Sequence, residues 1–77
     1  MNKKITEEHQ KILNHIGYLI REYRLSEGWS QKIFSEYSNL SRQSISRVEN
    51  GKNISLLTLI EIVITLDIKL SDLFELV

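Results

Sequence analysis

The sequence predicts an all-α fold of five helices, and three observations predict it. Apolar residues recur three and four positions apart in segments separated by short polar breaks, the spacing that lines one face of a helix. Hydroxyl residues suited to helix N-caps, Thr6, Ser30, Ser41 and Ser55, stand just before four of those segments. Three of these caps sit inside an apolar pair able to form a hydrophobic staple: Trp29 with Phe34, Leu40 with Ile45, and Ile54 with Leu59. The 77 residues contain no proline to interrupt a helix and make one small domain spanning 1–77.

The first helix is expected over residues 6–27, with Ile12, Ile16, Leu19, Ile20 and Tyr23 as its apolar stripe. Glu7 and Glu8 suit its positive end, and Gly28 its C-terminus. Gly17 inside it costs roughly 1 kcal/mol relative to alanine, so it marks a bend or a close contact. A second helix over 31–37 and a third over 42–50 are joined by Ser38-Asn39, and asparagine tolerates the left-handed conformation that a sharp corner needs. Gly51 stands where a helix-ending glycine should be. The fourth helix, capped by Ser55, should bury Leu56, Leu59, Ile62, Val63 and Leu66, which leaves Leu57, Ile60 and Ile64 as a surplus apolar strip. A short fifth helix over 70–76 offers Leu73 and Phe74 to the core, but Lys69 is a poor cap for it.

The third helix differs from the others in what it leaves outside. Ile45 and Val48 suffice for its buried stripe, and Arg42, Gln43, Ser44, Ser46 and Arg47 remain. Arginine and glutamine match base edges in the DNA major groove, while serines and backbone amides suit phosphates. The plain alternative is a solvated face that lacks acids. Net charge is zero, yet residues 21–52 hold six basic residues against four acids and residues 53–77 one lysine against four acids. Binding to a polyanion would then rest on a modest excess and weaken early as salt rises.

Other chemistry is thin. The absence of cysteine excludes disulfides and thiolate metal sites and fits a reducing cytoplasm. His9 and His15 face different sides of one helix with no acid at ligand spacing, which favours solvated histidines over a metal site. No histidine base accompanies the serines and no glycine-rich phosphate loop is present, so neither an enzyme nor a cofactor is expected. The N-terminus lacks the apolar core of a secretion signal, and the polar residues within 54–70 exclude a membrane span.

Three stretches, IGYLIREYRLSEGWSQ, SNLSRQSISRVENGK and SLLTLIEIVITLDIKLSDLF, resemble the Cro and phage-repressor type (XRE) of helix-turn-helix protein in order and nearly in spacing. The resemblance covers residues 16–76 and implies a compact five-helix lambda-repressor-like domain, with the helix-turn-helix at helices two and three. It leaves residues 1–15 as an N-terminal extension of helix one, either frayed or an added contact surface. The family's small residue at the helix crossing is Ser35 here, and its turn glycine is Asn39. Arg24 and Glu49 stand where the family commonly pairs an arginine with a glutamate; such a pair would orient the third helix more than stabilise it.

By position, Arg42, Gln43 and Arg47, with Ser46, resemble the family's base-reading residues, and Ser30, Gln31, Ser41, Ser44, Asn50, Lys52 and Asn53 its phosphate contacts. The loop at 51–54 is slightly shorter than the commonest family form, which weakens the case for Asn53. Leu57 and Ile64 replace residues usually polar in the family, so Leu57, Ile60, Ile64, Leu76 and Val77 are expected to form a twofold interface. A homodimer of this kind would set two recognition helices ~34 Å apart on a palindromic operator. The alternative is that the strip packs under the N-terminal extension in a monomer. The resemblance thus implies double-stranded DNA as partner and a small transcriptional regulator that represses by occupying its site. A second reading is an antitoxin on the same fold, its apolar strip held by a toxin.

Overall fold

The computed structural model describes residues 4–75 and contains five helices. They are α1 (Glu7–Ser26), α2 (Gln31–Ser38), α3 (Arg42–Glu49), α4 (Leu56–Leu66) and α5 (Leu70–Leu73). The order and type of the elements are those that the apolar spacing predicts. Each N-cap is also as expected: Thr6, Ser30, Ser41 and Ser55 accept from the backbone N–H three residues on. His9 does more than face solvent. Its Nδ1 accepts from the Thr6 N–H at 3.1 Å while Thr6 Oγ1 accepts from the His9 N–H, which closes a capping box with an imidazole in place of the usual carboxylate.

Three helices end in the same hydrogen-bond pattern. After α1, Gly28 N–H bonds Leu25 O and Trp29 N–H bonds Arg24 O. After α3, Gly51 N–H bonds Val48 O and Lys52 N–H bonds Arg47 O. After α4, Asp67 N–H bonds Ile64 O and Ile68 N–H bonds Val63 O. Each is a Schellman motif, which requires a left-handed residue at its first position. Gly28 and Gly51 supply it with φ of 77° and 75°, whereas Asp67 is held there at 55° despite its Cβ.

One core joins all five helices. Ile16 and Ile20 from α1, Phe34 from α2, Ile45 and Val48 from α3, Ile62, Val63 and Leu66 from α4 and Leu73 from α5 are buried in it. The stapling residues Trp29, Leu40, Ile54 and Leu59 pack against its edge, with the Trp29 and Phe34 rings 5.7 Å apart. Full burial of Phe34 puts its truncation to alanine among the costly core changes, about 3–5 kcal/mol.

Three core expectations are corrected. Leu56 is 66% exposed, because it opens α4 at the lip of a groove and not over the core. Phe74 is half exposed, because α5 stops at Leu73 and leaves it across the same groove from Ile12. Ile12, in turn, is exposed on the α1 extension. The start of α5 is held not by the Lys69 side chain but by Asp72, whose Oδ2 accepts from the Lys69 N–H at 2.8 Å.

Candidate nucleic-acid interface

The corner between α2 and α3 is built by its own small polar residues. Asn39 takes the left-handed conformation, with φ 61°. Ser38 is buried and its Oγ accepts from the Leu40 N–H, while Ser35 Oγ donates to Leu40 O at 2.5 Å. The small residue expected at the helix crossing thus also satisfies a turn carbonyl. Asn39 stands outside the crossing and tolerates the conformation at less cost than a branched residue would.

The far end of α3 is gripped by α1. Arg24 Nε donates to Glu49 Oε2 at 2.7 Å and Nη2 to Oε1 at 3.0 Å, a bidentate pair. The remaining Arg24 donor group, Nη1, reaches Trp29 O at 2.6 Å, and Gln31 Nε2 donates to Glu49 Oε1 at 3.1 Å. The two side chains are only 8% and 4% exposed. Burying charge costs several kcal/mol per ion, and here both partners are satisfied on all sides, the condition under which such a pair persists. Gly17 explains how the helices come so close. A methyl group there would collide with the Val48 carbonyl oxygen, so the glycine marks a close contact.

This grip decides what α3 shows to solvent. Glu49, its one acid, is turned inward and neutralised. Arg42, Gln43 and Arg47 are exposed, Ser44 and Ser46 half-buried, and Ile45 and Val48 buried beneath them. Arg42, Gln43, Ser46 and Arg47 share one helical face by spacing.

The residues assigned to phosphate divide by what they already bond. Ser30 caps α2 but keeps its hydroxyl hydrogen to donate; Ser41 caps α3 and its Oγ donates to Ser44 Oγ, which leaves the Ser44 hydrogen for an outside acceptor. Gln31 directs its nitrogen at Glu49. Asn50 folds its amide nitrogen back onto Ser46 O at 2.8 Å. Lys52 is exposed directly beyond the end of α3, and Asn53 lies beside Ile5, His9 and Ile12 of the N-terminal segment.

On α4, Leu57 and Ile64 are 69% and 66% exposed and Ile60 is at the edge of exposure, so the strip is left uncovered among the described residues. Leu76 and Val77 lie outside the described residues. Among the described residues no group of three or more potential ligands could hold a metal ion, and no helix is long and apolar enough to cross a membrane. Sequence reasoning missed Gln10 and Asn14. Gln10 Nε2 donates both to Asn14 Oδ1 at 2.7 Å and to Gly51 O at 2.9 Å.

Two helices joined by a left-handed corner, the second with a basic outward face, define a helix-turn-helix protein, and the family comparison agrees. The helix-turn-helix family model matches residues 20–73, and the chain belongs to that family, in its Cro and phage-repressor (XRE) branch of DNA-binding regulators. Among solved structures, it is similar to the restriction-modification controller protein C.AhdI from Aeromonas hydrophila. Identity there is 35% over 80% of this chain and 96% of that one, with a TM-score of 0.75. It is similar also to the controller C.Esp1396I, described as a tetramer in complex with its natural 35 base-pair operator. That match has 31% identity, covers 83% of this chain and 86% of that one, and has a TM-score of 0.73. The clp gene regulator ClgR from C. glutamicum shares the fold at 24% identity, covering 80% of this chain and 81% of that one, with a TM-score of 0.74. No curated protein sequence matches the chain.

Proposed function

We propose that this protein is a sequence-specific double-stranded-DNA-binding transcriptional regulator that acts as a homodimer on a twofold-symmetric operator and represses by occupying it. The observation that carries the reading is the outward face of α3. Arg42, Gln43 and Arg47 stand exposed on it, with its acid withdrawn into the Arg24 pair. A solvated helix face has no reason to bury its acid and leave its bases outside. In this reading Arg42, Gln43 and Arg47 meet base edges and Ser46 lies among them. Ser30, Ser41, Ser44 and Lys52 meet phosphates, aided by the backbone amides that open α2 and α3. Gln31, Asn50 and Asn53 take lesser parts, the first two because their amide nitrogens already hold the fold.

The self-association rests on the uncovered α4 strip, since exposed apolar surface on a small domain marks a contact. The operator complex of C.Esp1396I supports DNA as the partner, and its oligomeric form supports pairing. None of the similar structures described above favours the toxin partner. Selection of bound duplexes from a random pool at near-physiological salt tests the proposal. It should return one motif with twofold symmetry; recovery of unrelated sequences at equal affinity would end it.

A further inference from the structure

We infer that Gln10 is a positioning residue for Lys52, so that the N-terminal part of α1 forms a second clamp on the end of the recognition helix. The inference rests on the DNA-binding reading above. Gln10, Asn14, Gly17 and Arg24 are four, three and seven residues apart, which places them on one face of α1. Gly17 and Arg24 meet Val48 and Glu49, the last turn of α3. Gln10 and Asn14 continue the same seam to the next residue that matters, Gly51.

Gly51 is fixed from two directions. Its own N–H and that of Lys52 close the Schellman motif onto Val48 O and Arg47 O at 3.1 and 2.9 Å. Its carbonyl accepts from Gln10 Nε2 at 2.9 Å, a bond that spans 41 residues of chain. Gly51 is buried, and a Cβ there would meet the Asn14 and Gln10 amides, so the seam also fits tightly against it. An ordinary (i, i+4) amide pair on a helix would explain Gln10 with Asn14, but not the aim of the same nitrogen at a carbonyl behind α3. That carbonyl belongs to the peptide unit whose N–H is Lys52's. Fixing both ends of this unit sets where the Lys52 side chain leaves the backbone, and therefore which phosphate it can reach. Gln10 lies outside residues 20–73, where the family model matches.

The test is a double-mutant cycle with Gln10→Met, which removes the donor while keeping length, neutrality and helix propensity. Amide exchange at Gly51 and Lys52 should speed up while Ile16 and Ile20 amides and the melting temperature stay unchanged. Affinity for the selected duplex should fall about three- to tenfold, equally on random duplex, with a shallower salt dependence although no charge was altered. In a Lys52→Ala background the same substitution should change affinity no further. Unchanged exchange at Gly51 and Lys52, or a full additional loss on top of Lys52→Ala, overturns the inference while leaving the DNA reading intact. A parent protein that binds no duplex overturns both.

Discussion

The outward faces of α3 and α4 are built on the same plan and finished in opposite ways. Both helices open with a serine cap inside an apolar pair and close with a Schellman motif. Yet α3 turns arginine and glutamine outward over a two-residue apolar stripe, whereas α4 turns out Leu57, Ile60 and Ile64 after burying its own share of the core. Folding alone accounts for the inward halves of both. The outward halves contribute nothing to this core, and the difference between them separates a surface suited to a polyanion from one suited to another protein.

The largest effect expected from disturbing this contrast is on α3. Glu49→Ala leaves the Arg24 guanidinium buried without its carboxylate, which should cost about 3–5 kcal/mol of stability and weaken DNA binding with it. Chemical denaturation checks this, and an unchanged midpoint would remove the clamp from the account. On α4, Ile64→Glu should leave the fold intact, since the side chain is exposed, and should abolish pairing. A loss of about 2 kcal/mol or more in self-association is expected for a central apolar contact, visible by sedimentation. A variant as dimeric as the parent would move the interface elsewhere. The smallest effect tests the shared plan. Asp67→Gly relieves a left-handed residue that carries a Cβ, and should raise stability by about 0.5–1 kcal/mol with no change in pairing or binding.

Local features were legible in the sequence. Each serine cap and staple is a short-range pattern, and Gly28 and Gly51 announce their left-handed positions because few other residues take them. Asp67 takes the same position unannounced, since aspartate fits many other places as well. The meeting of Arg24 with Glu49 was legible only through the family resemblance, because nothing local links charges 25 residues apart. The Gln10 contact lay outside that resemblance and joins a neutral amide to a backbone carbonyl, which leaves no mark in residue type. Leu56 and Phe74 misled for a different reason. Helical spacing tells which residues share a face but not where that face runs past its neighbours, and both residues sit at such an edge.

The central claim is that the outward face of α3 reads base pairs while the residue just beyond it holds phosphate. Affinities of the parent, Arg42→Ala and Lys52→Ala for the selected duplex and for its single base-pair variants test that directly. Arg42→Ala should lose about 1–3 kcal/mol on the selected duplex and become indifferent to particular base pairs, while Lys52→Ala weakens every duplex alike. Equal losses on every duplex for both variants would contradict it.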